Sequence, residues 1–231
     1  MSALRILAFD SLPSTQDEAR RLVLAGEGVS GWVVRAAVQT AGRGQRARDW
    51  QASLGGSYQT VIVREPEADA RAATALVIAL GLVKVFPIYG VRAGLKWPND
   101  LYYRGKKLAG VLVERVAGHL LIGIGLNVNN EVPSGAVGLR GWDVEGAHMV
   151  VLEGVQRGIE LLEVEGFDLP SAYEPFDLLR GQNLELEVAG SFLHGRGAGV
   201  DETGRLRLEL LEGEVRHVSS GHLTAFTLRD L

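Results

Sequence analysis

Apolar and polar positions change their period several times along this chain. Arg5–Phe9 is a short apolar run suited to a strand, and Ser14-Thr15-Gln16-Asp17-Glu18 then opens a helix. Thr15 and Glu18 have the spacing of a capping box, and two acids fall in the first turn, where the helix dipole favours them. Ala19, Leu22 and Val23 recur at helical spacing until Gly26 stops the helix. Trp32–Val38 is a β-branched run that predicts a buried strand. It leads into Gln39–Gly56, a polar, glycine-rich stretch of eighteen residues, a length at which connections are usually functional or mobile. Ser57–Val63 predicts another strand. Ala68–Phe86 carries a helical pattern with Ala72, Leu76, Ala79, Leu80 and Val83 on one face. Gly94–Trp97, Leu108–Glu114 and His119–Val128 then read as strands of a meander, with Arg104-Gly105 and Ala117-Gly118 as hairpin turns, before Met149–Glu163 returns to helix.

From Gly181 the runs become short and alternating: Leu184–Val188, Arg196–Val200, Leu206–Leu210 and Val215–Val218, separated by glycines. That texture predicts a small barrel or sandwich. The fold class is therefore α+β. A central mixed or mostly antiparallel sheet flanked by helices occupies residues 1–180, and a small β domain occupies residues 181–231. A meander leaves an edge that must be covered. Trp32–Val38 or the Leu108–Glu114 hairpin is expected to supply it, either self-pairing into a homodimer or adding a strand from a partner.

Composition narrows the chemistry. At 231 residues, with 46% hydrophobic and 23% charged, the chain can bury a sizeable core and is neither disordered nor collagen-like. A net charge of −4 argues against charge-driven binding to DNA or to acidic membranes. Cysteine is absent, which excludes disulfides, thiolate metal sites and cysteine nucleophiles, and agrees with a cytoplasmic location. No basic leader precedes an apolar core. The longest apolar stretch, Ala72–Pro87, is interrupted by Thr74, Gly81 and Lys84, so neither a signal peptide nor a membrane span is predicted. The five histidines show no i, i+4 pairing and no adjacent acidic cluster, and no zinc site is expected. Ser14, Ser53 and Ser57 lack the context of a nucleophile elbow, and Gly105-Lys106-Lys107 lacks the first glycine and the Ser/Thr of a P-loop.

Three stretches carry candidate chemistry. Gly42-Arg43-Gly44-Gln45-Arg46-Ala47 formally matches a dinucleotide fingerprint, but no apolar helix begins inside it and no strand-ending acid follows at the right distance. What remains is a flexible basic loop with Arg43, Arg46 and Arg48 beside Trp50, suited to phosphate binding next to an aromatic surface. In the second stretch, Lys96-Trp97-Pro98-Asn99-Asp100 precedes Lys106-Lys107-Leu108-Ala109-Gly110. Three of the four lysines lie there within twelve residues, and Lys96 stands at a strand end. The third, Gly123-Ile124-Gly125-Leu126-Asn127, has strand glycines that mark close approach of a ligand or backbone, and an amide at Asn127 able to read a purine edge.

Together with Ser14-Thr15, Gln39-Thr40-Ala41-Gly42-Arg43-Gly44, Arg48-Asp49-Trp50 and Lys107–Glu114, these stretches resemble the biotin protein ligases in residues, order and spacing. KWPND followed closely by KLAGVLVE is the specific part. Gly195–Gly199, Val200-Asp201, Gly204-Arg205-Leu206 and Ser219-Ser220-Gly221 resemble the SH3-like β-barrel that ends those enzymes. The resemblance implies a ligase that uses ATP to make biotinyl-5'-AMP and transfers the biotinyl group to a lysine of a biotin carboxyl carrier domain. It further implies that Ser14, Thr15, Gln16, Gln39, Arg43, Gly44, Gln45 and Lys96 hold biotin, and that Arg43, Arg48, Trp50, Lys96 and Asn127 hold ATP. Lys96, Arg48, Asp100 and Lys107 would serve the chemistry, with Asp100 and Lys107 at the transfer step. Mg²⁺ would ride on the phosphates, without protein ligands. Lipoate-type ligases of the same superfamily and a non-catalytic biotinyl-nucleotide sensor are the alternatives. Gln16 stands where the family usually has Asn, Gln45 where it often has Arg, and Ala47 where glycine is common. Only thirteen residues precede Ser14, so a catalytic core without a DNA reader is expected.

Overall fold

The computed structural model describes residues 4–27, 29–66, 73–211 and 213–229. Strand β1 (Arg5–Leu12) leads through helix α1 (Thr15–Leu24) to β2 (Trp32–Gln39), which lies parallel to β1. Strands β3 (Ser57–Arg64), β4 (Gly94–Lys96), β5 (Asp100–Tyr103), β6 (Lys106–Val116) and β7 (His119–Leu126) complete a seven-stranded mixed sheet in the order β1-β2-β3-β7-β6-β5-β4. Because successive strand residues point to opposite faces, one sequence serves two layers. Val33, Val61, Ile122 and Ile124 face helices α2 (Thr74–Val85) and α3 (Val144–Leu162), whereas Val34, Ile62 and Leu121 pack with Ala19, Leu22 and Val23 of α1. The single helix α1 covers only part of its face. The uncovered part, floored by Gly110, Gly123 and Gly125, becomes the site.

On the other face α2 and α3 cross backbone to backbone. A Cβ at Gly81 would lie 2.3 Å from both Gly154 O and Gly158 N, so the crossing depends on glycine. A polar brace joins α3 to the sheet, with Ser57 Oγ 2.7 Å from His148 Nδ1 and Gln59 Nε2 donating to His148 O at 2.9 Å. Burial pushes His148 down to about 4, with Arg35 adding to the effect. Ser57 and His148 are buried away from the cavity, so this pair is structural.

Several expectations are refined. The cap of α1 is Ser14, whose Oγ accepts from Gln16 N at 3.2 Å, and not Thr15, whose hydroxyl is engaged elsewhere. Helix α2 is described from Thr74, and the expected start at Ala68 with Ala72 lies outside the described residues. Helix α3 begins at Val144, where the Asp143 carboxylate accepts from Gly146 N at 2.8 Å. The two hairpin turns form as read, with positive φ at Arg104, Gly105, Ala117 and Gly118. The edge assignment is corrected. Strand β2 lies between β1 and β3, because the parallel strand β1 covers it, and β1 and β4 are the outer strands. Strand β6 is paired with β5 up to Gly110, and the Leu108–Glu114 hairpin is therefore interior along its first half.

After α4 (Leu169–Tyr173) the chain forms a second sheet of β8 (Asn183–Val188), β9 (Ser191–Val200), β10 (Leu206–Glu209), β11 (Val215–Val218) and β12 (His222–Phe226). It is antiparallel, in the order β11-β10-β9-β8-β12. Strands β11 and β12 are its two edges, so the expected barrel is an open five-stranded sheet. This sheet docks on the first one. Trp97 Nε1 donates to Gly204 O at 3.0 Å, and the segment leading to β8 is held on β4 by Leu178 N donating to Leu95 O at 3.0 Å. The turn that offers Gly204 is tied by Asp201, whose carboxylate accepts from Thr203, Arg205 and His217. Among the described residues no helix is long and apolar enough to cross a membrane.

Candidate active site

The cavity lies on the α1 face of the first sheet, roofed by the loop after β2 and closed at one end by β12. Its first end is neutral and polar. Gln39 Oε1 accepts from the Thr15 backbone N–H at 2.8 Å and lies 3.1 Å from the Thr15 hydroxyl. That hydroxyl is 2.9 Å from Thr60 Oγ1, which in turn lies 3.1 Å from Gln16 Oε1. Gln16 Nε2 ends the chain by donating to Leu121 O at 3.0 Å. The longer side chain at position 16 is accommodated by glycine opposite, since a Cβ at Gly123 would come 2.6 Å from Gln16 Oε1.

Trp50 forms the middle. A Cβ at Gly125 would stand 2.4 Å from Trp50 Cε2, and one at Gly110 would stand 3.2 Å from Trp50 Cζ3, so the indole lies flat on the glycine floor. The strand glycines thus admit the chain's own side chains, Gln16 and Trp50. Trp50 reaches this position because the loop folds back on itself: Trp50 N donates to Gly42 O at 2.9 Å and Gly44 N to Arg48 O at 2.7 Å. Gly42 is required there, its Cβ position being 2.5 Å from Trp50 O. The Trp50 Nε1–H is buried without a partner.

The other end is cationic. Lys96, at the end of β4, places Nζ 4.6 Å from the Phe226 ring centroid and 5.8 Å from that of Tyr102. Burial lowers its pKa, Asp100 opposes the shift, and Lys107 and Arg48 reinforce it. Lys107 Nζ is 2.7 Å from Asp100 Oδ1 and 5.2 Å from the Trp50 ring centroid. Arg48 donates to His222 Nδ1 at 2.8 Å. Arg43, at the mouth, turns to Asp17 and lies 3.5 Å from Glu114. Asn99 exchanges hydrogen bonds with Val111 and fixes the turn between Lys96 and Asp100.

Ser14, Thr15, Gln16, Gln39, Arg43, Gly44, Gln45, Arg48, Trp50, Lys96, Asp100 and Lys107 all line this one cavity. Asn127 does not. Its side-chain oxygen accepts from Asn130 at 3.1 Å, and Asn130 in turn accepts from Val128 N at 2.9 Å, so the amide closes the turn after β7. Thr60 and His222 line the cavity without having been singled out. Thr60 was hidden in a β-branched strand, and its place as a polar residue on the face shared with Tyr58 and Ile62 was the available signal. His222 sits in a five-residue strand with no motif. Among the described residues no group of three or more His, Asp or Glu could hold a metal ion.

Comparison with known proteins adds a second line of evidence. Residues 8–129 match the biotin/lipoate A/B protein ligase family. The biotin–[acetyl-CoA-carboxylase] ligase of Mycobacterium tuberculosis is 32% identical over 225 residues, covering 90% of this chain and 84% of that protein. The bifunctional ligase/repressor BirA of Bacillus subtilis is 29% identical over 230 residues, covering 90% of this chain and 70% of that protein. The biotin protein ligase of Aquifex aeolicus, solved in complex with biotin and ATP, superposes with a TM-score of 0.83 at 27% identity, covering 97% of this chain and 98% of that one.

Proposed function

The chain belongs to the biotin/lipoate A/B protein ligase family, and we propose that this cavity performs both half-reactions of biotin attachment. It is an ATP-dependent ligase that activates biotin as biotinyl-5'-AMP and transfers the biotinyl group to a lysine of a biotin carboxyl carrier domain. The observation that carries the assignment of parts is the polarity of the cavity. A chain of uncharged donors and acceptors stands at one end and a cation cluster at the other, with an indole between them. A ligand that fits has a neutral, hydrogen-bonding ring at one end and develops an anion at the other. Biotin, with its ureido group and carboxylate, matches. Lipoate matches less well, because its dithiolane has no group to hydrogen-bond with Thr15, Gln16, Gln39 and Thr60.

Residue roles follow from position. Ser14 holds the start of α1, while Thr15, Gln16, Gln39 and Thr60 receive the ureido ring. Gly44 and Gln45 close the roof, and Arg43 at the mouth guides the anion. Trp50 offers the aromatic surface for the adenine side. In the first half-reaction a biotin carboxylate oxygen attacks the α-phosphorus of ATP, and the bond to the β-phosphate oxygen breaks, releasing pyrophosphate. Two anions repel, so the encounter requires cations preorganised in a poorly hydrated site, which Lys96 and Arg48 supply. Mg²⁺, arriving with the nucleotide, would supply further charge neutralisation at the phosphates. In the second half-reaction the acceptor amine attacks the acyl carbon and AMP leaves. Asp100, beside Lys107, is the group positioned to orient that amine and take its proton.

Residues 181–231 act as a small second domain whose β12 closes the phosphate end. The setting this reading requires is the cytoplasm, where ATP and carrier domains meet. Biotin-dependent exchange of labelled pyrophosphate into ATP tests the reading, run in parallel with lipoate. Exchange with biotin alone supports it, exchange with lipoate alone replaces it with the lipoate alternative, and no exchange leaves a binder.

A further inference from the structure

The second sheet touches the site through β12, and one contact there has no place in the chemistry above. His222 lies at the start of β12, opposite Glu187 of β8, and its ring nitrogen Nδ1 is 2.8 Å from a guanidinium nitrogen of Arg48. Arg48 and His222 both line the cavity, as does Lys96. An arginine can only donate, so Nδ1 in this contact is the acceptor, and the imidazole is the neutral Nε2–H tautomer. The surroundings favour that form. Burial, Arg48, Lys96 and Arg46 all disfavour the imidazolium, with Glu187 alone opposing them.

Resting on the ligase reading, we propose that His222 is a positioning residue for the nucleotide half-reaction, holding the Arg48 guanidinium at the cationic end of the cavity. Arg48 stands on an exposed loop, and among the described residues His222 is the side chain's hydrogen-bond partner. A long arginine left free loses rotamer entropy when it meets a phosphate. A neutral acceptor fixes it beforehand without neutralising it, which an acidic partner would do, so the full charge remains for the ligand. The hydrogen-bond chain of the ureido end runs among Thr15, Gln16, Gln39 and Thr60 and does not involve His222. The effect therefore falls on ATP and spares biotin.

The test uses the full chain in the biotin-dependent pyrophosphate exchange assay, with biotin binding measured separately by calorimetry. His222→Ala is expected to raise the KM for ATP about tenfold, equivalent to ~1.4 kcal/mol, with the biotin Kd unchanged within twofold. His222→Asn, whose Oδ1 falls near the place of Nδ1, is expected to recover most of the loss. In an Arg48→Ala background His222→Ala is expected to add nothing further, since coupled residues are non-additive. An unchanged KM in His222→Ala, an equal weakening of biotin, or a full tenfold effect persisting without Arg48 would each overturn the proposal. Should His222→Ala fail to fold, His222→Asn against His222→Gln decides: Gln carries its oxygen at the Nε2 position, and equal behaviour of the two overturns the proposal. Absence of exchange in the unmodified protein would instead overturn the ligase reading itself.

Discussion

Replacing Lys96 by Met separates charge from packing at the centre of the cation cluster. The lysine ammonium stands over the rings of Phe226 and Tyr102, and methionine keeps an unbranched stem that ends short of them without the charge. The stability terms are small and opposed. Loss of the two cation–π contacts costs about 0.5–1 kcal/mol each, while removing a half-buried ammonium relieves its repulsion from Lys107 and Arg48 and the burial that lowers its pKa. Asp100 retains its partner Lys107 at 2.7 Å. The net change is therefore expected within about 1 kcal/mol, a melting shift of roughly 2–4 °C for a chain of this size. The chemical term is larger. A preorganised group facing charge that develops in the transition state is worth about 2.7–4 kcal/mol, or roughly 10²–10³ in rate. Lys96→Met should therefore lower biotin-dependent pyrophosphate exchange by about two to three orders of magnitude while the circular dichroism melt stays near that of the parent. A folded variant retaining more than a tenth of the exchange rate would show that Lys96 does not face the reacting phosphate. A collapse of the melt would show that it is a packing residue.

Three further outcomes are expected. Gly125→Ala should lift Trp50 off the sheet, because the new methyl would overlap the indole. That costs about 1–3 kcal/mol by overpacking and raises the KM for ATP, and an unaltered Trp fluorescence spectrum would contradict it. Asp177, buried beside β4, has its carboxyl pushed up to about 6 by burial, so its folded value exceeds the unfolded one. The stability that this group contributes is thus complete below about pH 4 and lost as pH rises through about 6, by up to ~3 kcal/mol. Asp177→Asn, which keeps the acceptor for Leu179 N, should be the more stable protein at pH 8 in urea titrations and equal to the parent at pH 4; a gap independent of pH would refute this. Trp97→Phe leaves Gly204 O without its donor, a loss of about 1–3 kcal/mol. Amide exchange should accelerate in residues 200–226 before it does in β3 and β7, and uniform acceleration would refute the docking role.

The parts of the site that were legible in the sequence are those where function compresses several residue types into a few consecutive positions. Ser14 to Gln16 and Lys96 to Asp100 are such runs, and the structure brings them to one cavity. Thr60 escaped notice because a threonine in Ser57–Arg64 is also an ordinary strand former, and only the sheet tells which face it takes. The glycines at 123 and 125 signalled close approach, yet the approaching groups, Gln16 and Trp50, lie far away in sequence. Asn127 differs: its amide pairs with Asn130 in the turn after β7 and does not line the cavity, a placement that the strand spacing alone does not give. The edge strand was misplaced because parallel pairing of β1 with β2 leaves no local trace in either segment.

The two ends of the cavity are also separated along the chain, and this has a consequence during synthesis. The ureido end draws on Thr15, Gln16, Gln39, Thr60 and the strand that carries Gly123, whereas the phosphate end waits for His222 and Phe226, about a hundred residues later. A ribosome delivers residues at about 5–20 per second, N-terminus first, so the first sheet emerges several seconds before β12 does. The nascent protein thus acquires the ureido end and the cations Arg48, Lys96 and Lys107 before β12 closes the phosphate end. A chain arrested between β7 and β12 would carry its reactive groups in a cavity still open on that side.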